Sequence, residues 1–360
     1  MPVRDSQDLT PIQRDSRLQR MESVAMMAPP PSISVIVPAY NAESAIDRCL
    51  DALSLQTLPP TMVEVIVVDD GSSDDTAARV RAHPSVRLIG QEHTGPAAAR
   101  NLGVQHAVGE IVLFTDSDCA AAPDWIERMV APFALGQQGG DDRPVVGVKG
   151  AYLTRQRELM ARFVQMEYEE KYDHMARLES IDFVDTYAAG YRHDVFVTNG
   201  GFDTVFPDAS VEDQEFSFRL AGLGHRMVFV PEARVYHMGH PKDLWTYARR
   251  KAKIGYWKVL VVRRYPGKLA RDSHTPQSLK VQIALVGLVV FCLLGSLLWH
   301  PLKWVAVTSS IAFVLSTMAF VRKQWSRDSA VAILSPLFLL VRALALGVGF
   351  SAGVVAQLFR

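Results

Sequence analysis

Three acidic clusters hold the residues best suited to chemistry: Asp69-Asp70-Gly71-Ser72, Asp116-Ser117-Asp118 and Glu212-Asp213. The first two each end an apolar run, residues 63–68 and 111–115, and so read as strands that stop at carboxylates. Asp116 and Asp118, two apart in an extended chain, leave the same side and can both face one hard cation held by oxygen ligands. A cation so placed would make this a metal-diphosphate site. Asp213 follows Glu212 at the opening of a helical stretch. Each cluster also has a plainer reading. Asp-Ser-Asp favours turns, and Glu212-Asp213 suits the positive end of a helix.

The surrounding elements decide between these readings. After Pro29-Pro30-Pro31, residues 33–37 (ISVIV) form a β-branched strand running into Pro38-Ala39-Tyr40-Asn41. Ile46, Cys49, Leu50 and Leu53 recur at helical spacing over residues 44–55, with Ser44 as the expected N-cap. Strands over 63–68, 86–89 and 111–115 alternate with helices around Ala77 to Val80 and over 95–108. Strand and helix in this rhythm predict a doubly wound, mostly parallel sheet. Its strand ends share one edge, so the polar clusters after Val37, Val68 and Thr115 fall along one crevice. Further on, residues 145–152 predict a strand, 155–179 an amphipathic helix, 214–223 a helix, and 226–230 and 234–240 two more extended segments.

In order, Pro38-Ala39-Tyr40-Asn41, Asp69-Asp70-Gly71-Ser72, Asp116-Ser117-Asp118, Asn199-Gly200-Gly201-Phe202-Asp203 and Glu212-Asp213 closely resemble the family 2 glycosyltransferases, inverting enzymes of GT-A fold, over residues 32–238. One motif alone would be weak; five in order are specific. The resemblance implies a Rossmann-like α/β domain with a mostly parallel sheet and helices on both faces. It implies that Asp70, with Asp69 and the chain at Pro38, Ala39 and Tyr40, holds the base and ribose of a nucleotide sugar, with Arg100 near the nucleotide. Asp116-Ser117-Asp118 becomes the DxD motif, whose carboxylates bind the ribose and a divalent metal, Mg²⁺ or Mn²⁺, on the diphosphate. Asp213 becomes the catalytic base. His237, which stands with His240 in VYHMGH, becomes a third contact to the metal or diphosphate, although a histidine pair three apart is more often structural. The family's processive polysaccharide synthases carry Gln-x-x-Arg-Trp near this point, where the present chain reads RRKAKIGYW from Arg249 to Trp257. That departure favours transfer of a single sugar over polymer synthesis. A processive synthase and a non-catalytic nucleotide-sugar-binding membrane protein are the alternatives, and the second would need a damaged acidic site.

Composition adds the cellular setting. Lys+Arg 38 balances Asp+Glu 38 across 360 residues, which gives no reason to expect a nucleic-acid partner. Cys49, Cys119 and Cys292 lie far apart without metal-ligand spacing and read as free thiols. Residues 1–31 lack the apolar centre of a signal peptide and read as a disordered tail, followed by a catalytic domain over 32–242. Residues 243–278 mingle Trp245, Tyr247, Tyr256 and Trp257 with Arg249, Arg250, Lys251, Lys253 and Lys258, the composition of interfacial helices that meet anionic lipid. Residues 279–360 hold two apolar stretches, 281–299 and 304–321, each long enough to cross a core of roughly 30 Å. A third, 330–359, is interrupted by Pro336 and Arg342. Arg263, Arg264, Lys268, Arg271 and Lys280 before the first, with Arg322, Lys323 and Arg327 after the second, predict a cytoplasmic catalytic domain at the inner or plasma membrane. Three spans and an external C-terminus are the expectation. The partners this implies are a nucleotide-sugar donor, a lipid-linked or glycan acceptor, and membrane lipid.

Overall fold

A computed structural model describes residues 32–134, 143–207, 210–270 and 272–359. The tail over 1–31 and the loop over 135–142 lie outside the described residues.

Eight strands form one sheet in the order β3-β2-β1-β4-β7-β6-β8-β5. They are β1 (Ile33–Ala39), β2 (Val63–Asp69), β3 (Val86–Gly90), β4 (Ile111–Phe114), β5 (Cys119–Ala121), β6 (Val145–Thr154), β7 (Ala189–Arg192) and β8 (Arg226–His237). The neighbours β3-β2-β1-β4 are all parallel. Beyond β4 the sheet is mixed: β7 is antiparallel to both β4 and β6, β6 is parallel to β8, and β5 closes the edge antiparallel to β8. The parallel half behaves as its sequence predicts, with crossover helices α1 (Ile46–Ser54), α2 (Thr76–Arg81) and α3 (Pro96–Gln105). Its strand ends place Ala39, Asp69 and Phe114 on one edge, each leading directly into an acidic or polar cluster.

Local differences have local causes. Ser44 does not cap α1; Ala45 holds that position without a side-chain hydrogen bond. The two segments expected over 226–240 are a single strand, bent by a register irregularity where Pro231 cannot donate to the ladder. β5 is only three residues long, too short for periodicity to announce.

The remaining helices are α4 (Trp125–Ala134), α5 (Leu159–Met175), α6 (His193–Thr198), α7 (Glu212–Gly222), α8 (Leu244–Arg264), α9 (Gly267–Ala270), α10 (Gln277–Gly295), α11 (Leu302–Trp325) and α12 (Ser329–Leu358). α10, α11 and α12 are long and apolar enough to cross a membrane. Pro336 sits within α12 without ending it, and Arg342 is buried against protein. One hydrophobic core fills the two faces of the sheet. A second begins on α5, where Phe163 meets the rings of Tyr247, Phe320 and Phe338 at 5.8, 5.8 and 5.0 Å. α5 therefore belongs to both the sheet domain and the apolar helices.

Candidate functional site

The strand-end crevice is built in layers. Asp70, 2% exposed, accepts from the backbone amides of Thr94 and Gly95 at 2.9 Å each and from Gln91 Nε2 at 2.6 Å. Its Oδ2 also lies 2.9 Å from His93 Nδ1. With so many donors the carboxylate is consumed in shaping the loop over 91–95, and that loop presents His93. The His93 ring stacks on exposed Tyr40 at 4.1 Å and 22°. Asp69 accepts from the Ser72 amide at 3.1 Å, and Ser72 Oγ accepts from the Asn41 amide at 2.9 Å, which ties the first two loops together. Pro38 and Ala39 are buried at the end of β1. The result is a flat aromatic face over a fixed backbone floor, a shape suited to a planar base.

Next to it, Asp116 keeps about a third of its side chain open, Ser117 is half-buried, and Asp118 is likewise partly open. Arg100 is not at the surface. Its guanidinium, 3% exposed, donates through Nη2 to Asp116 Oδ1 at 2.8 Å and through Nη1 to Glu212 Oε1 at 3.0 Å. Such fixed, charge-assisted contacts are the strong kind. One buried cation therefore joins the Asp116 cluster to the Glu212-Asp213 cluster.

Asp118 Oδ2 lies 3.0 Å from His237 Nε2 on the last residue of β8. Burial raises the Asp118 carboxyl, but its hydrogen bond to His237 and the charges of His237 and Arg250 outweigh this and leave it below its ordinary value. Gly239 makes the approach possible: a Cβ there would collide with Asp118 Oδ2. Arg250 donates to the Gly239 carbonyl at 3.1 Å, holding that turn from α8. His237 Nδ1 faces His240 Nδ1 at 3.2 Å. His240 is driven down to about 3 by burial and by its neighbours His237 and Arg250, so it is neutral and has one N–H to place.

These residues fit a divalent cation. With His237 Nε2 as a ligand, Nδ1–H donates to His240 Nδ1, and the His240 proton sits on Nε2, a buried atom without a protein partner. Cys119 completes the set whose ligand atoms fall within 4.8 Å of one another. Burial holds its thiol well above the ordinary value, so it stays protonated and is a poor partner for a hard cation. Asp118 and His237 are the better donors, with Asp116 engaged by Arg100 on one oxygen.

Asp213 stands in the first turn of α7. Its Oδ1 accepts from the Gln214 amide at 2.7 Å and its Oδ2 from the Thr186 amide at 3.4 Å. Burial, then the adjacent charge of Glu212, push its carboxyl up to about 7 despite Arg100 nearby. A carboxylate poised there can exchange a proton near neutral pH.

The model of Glycosyl transferase family 2 matches residues 34–198. The chain carries a glycosyl transferase family 2 domain. Glycosyltransferase AglE of Haloferax volcanii is 42% identical over 106 residues, 28% of this chain and 35% of that protein. The pre-mycofactocin glycosyltransferase of Mycobacterium tuberculosis is 28% identical over 248 residues, 66% of this chain and 49% of that protein. These matches thus span half or less of the relatives' own length. A mannosyltransferase from Pyrobaculum calidifontis, solved with GDP-Man and Mn²⁺, shares the GT-A fold at a TM-score of 0.57 and 21% identity, over 95% of this chain and 94% of that one.

Within this family 2 domain and its continuation, the structure gives two residues more than their sequence reading did. Glu212 stood in the acidic pair without a role of its own, yet it is 2% exposed and held by Arg100. Lys149, fully buried on β6, pairs with Asp185 and faces the Phe183 ring at 5.1 Å; burial, then Lys171, keep its amine well below its ordinary value. Asp185 immediately precedes Thr186, so Lys149 fixes the segment whose amide meets Asp213. A buried lysine in a strand otherwise made of apolar residues is the one signal that could have found it.

Proposed function

We propose that this chain is a membrane-anchored, metal-dependent, inverting glycosyltransferase that moves a single sugar from a nucleoside diphosphate sugar to a lipid-linked or membrane-proximal acceptor. The observation that carries this reading is the Arg100 bridge: one guanidinium holds Asp116 and Glu212, and so spaces the DxD cluster against Asp213. Tyr40 and His93 offer a stacking face to the base, and the loops at Asp69 and Asp70 offer a rigid floor to base and ribose. Asp118 and His237, with Asp116 beside them, would hold Mg²⁺ or Mn²⁺. Bound there, the cation supplies a positive charge to the diphosphate as it leaves.

The residues of the chain account for the rest. The acceptor hydroxyl attacks the anomeric carbon from the side opposite the diphosphate. The carbon–oxygen bond to the diphosphate breaks as the new bond forms, and the hydroxyl proton passes to Asp213. A single displacement inverts the anomeric centre. The Gln214 and Thr186 amides orient the receiving carboxylate. Attachment to the cytoplasmic face of the membrane fits a donor made in the cytosol, and α10 to α12 supply the apolar surface for it. The missing Gln-x-x-Arg-Trp signature favours one transfer over a processive polymer. A donor screen against membrane lipid extract, read by product mass, tests the reading; transfer should yield acceptor plus one sugar. No transfer from any nucleotide sugar, or a ladder of products, would overturn it.

A further inference from the structure

We propose that α12 does not cross the bilayer but lies along its surface on the side of the catalytic domain, leaving only the α10–α11 hairpin to cross. This rests on the membrane attachment proposed above.

The direction and contacts of α8 carry the inference. α8 is held to the catalytic domain along its whole length. Near its start, Tyr247 donates to Glu167 of α5 at 3.0 Å and Arg250 to the Gly239 carbonyl. Midway, Trp257 packs edge-on against Phe206. At its end, Arg264 donates to Asp203 at 2.7 Å and Tyr265, just beyond it, to Glu215 at 3.0 Å. α8 therefore runs over the domain surface for 21 residues, about 31 Å.

α12 lies on α8 in the same direction. A Cβ on Gly349 would strike the Ala252 carbonyl, one on Gly353 the Tyr256 carbonyl, and one on Gly255 the Leu346 carbonyl. From the Ala252–Gly349 contact to the Tyr256–Gly353 contact the numbers rise together on both helices, and the missing side chains let the backbones touch. A helix laid on α8 shares the orientation of α8, so the C-terminal half of α12 follows the domain surface and does not leave it.

The N-terminal half agrees. α10 and α12 both begin beside the catalytic domain: Asp328, the N-cap of α12, pairs with Arg162, and Lys171 lies 2.9 Å from His274, just before α10. Arg342 stands 13 residues into α12, about 20 Å along it, and its partner Gln282 stands five residues into α10, about 8 Å along that helix. Arg342 also donates to Glu167 of the catalytic domain at 2.8 Å. Two helices descending side by side would separate these depths; a helix slanting across the top of the hairpin brings them together.

What remains uncovered on α12 fits lipid. Ile333, Leu337, Leu344, Val348, Val355 and Phe359 are 37% to 86% exposed and fall at spacings of four and seven, one stripe along the helix. α10 and α11 also expose apolar side chains, as at Phe291 and Leu315. On α8, which packs against α12, Trp245, Arg249 and Lys253 repeat at every fourth residue and are exposed. An apolar stripe bordered by an aromatic ring and basic groups is the composition of a helix seated between acyl chains and anionic headgroups.

Full-length fusions test this. Alkaline phosphatase joined after Arg360 should be at least about tenfold less active than the enzyme joined after His300. An active fusion after Arg360 overturns the in-plane helix alone, whereas inactivity at both positions overturns the crossing hairpin, and with it both readings. Nitroxide labels at Ile333→Cys, Val348→Cys and Val355→Cys in anionic vesicles provide a second measure, since Cys49, Cys119 and Cys292 are buried. The three depths should agree within about 10 Å; a steady progression across the bilayer, up to about 33 Å between the outer labels, would overturn the proposal.

Discussion

Arg100 donates to Asp116 at 2.8 Å from a side chain only 3% exposed, although 16 residues separate them. The same guanidinium reaches Glu212, so the Asp116 and Glu212-Asp213 clusters share one buried charge. Arg100→Met should leave a buried carboxylate unpaired and lower stability by about 3–5 kcal/mol. Adding Glu212→Gln should restore much of that stability while transfer stays depressed by roughly 10²-fold, because the cluster spacing is lost. Urea unfolding in detergent and kcat/KM with a fixed donor check the two halves; full activity in the double variant would remove Arg100 from its positioning role.

Asp213 sets the expected pH dependence. Its carboxyl is raised to about 7, and the base form is the anion, so transfer should rise with pH through about 7 with a single ionisation. Stability has the opposite sign. The raised pKa favours the folded wild type most below the ordinary value of 3.8, and that advantage is lost as pH climbs through about 7. Asp213→Asn should therefore abolish transfer to a hydroxyl acceptor and, above pH 7, stabilise the protein by about 2–4 kcal/mol. Retained turnover in this variant would point to an acceptor that is already anionic, such as a lipid phosphate, with Asp213 orienting it.

Gly239 is expected to control metal binding without being a ligand. Gly239→Ala places a methyl group against Asp118 Oδ2 and should weaken Mn²⁺ affinity about 10–100-fold, similar to loss of a group that orients a ligand. His237→Ala should do at least as much. Titration of Mn²⁺ by electron paramagnetic resonance, with and without nucleoside diphosphate, measures both. Unchanged binding in both variants would move the cation away from this corner.

Much of the parallel half of the fold was legible because β1, β2 and β4 are apolar runs that end abruptly at polar residues, a local signal. The position of Asp70 was legible for the same reason. Its use was not: the Thr94 and Gly95 amides and the His93 ring that occupy it come from a loop without periodicity, more than 20 residues on. The resemblance put Arg100 near the nucleotide, but its bridging contact was not legible because its second partner, Glu212, is 112 residues away. The antiparallel pairing of β7 likewise depends on a chain reversal that no residue type marks. Arg342 was visible as an anomaly in an apolar stretch, and its partners Glu167 on α5 and Gln282 on α10 explain it.

Glu167 should couple the catalytic domain to the apolar helices. It is held down to about 2, where burial opposes but Lys251 and Arg342 prevail. It gives stability above its ordinary range that is lost as pH falls toward 2. Arg342→Leu should weaken the fold by about 3–5 kcal/mol, and Glu167→Gln with Arg342→Leu should cost less than the two single changes added. A double-mutant cycle by thermal unfolding in detergent checks this; strict additivity would dissolve the coupling.

The Glu167–Arg342 contact also orders events during synthesis. Glu167 leaves the ribosome 175 residues before Arg342, so even after Tyr247 and Lys251 of α8 reach it, the rest of that charged and apolar face waits uncovered until α12 is made. Translation rate, chaperones that shield α5, and the timing of membrane insertion thereby become determinants of how much active enzyme a cell obtains.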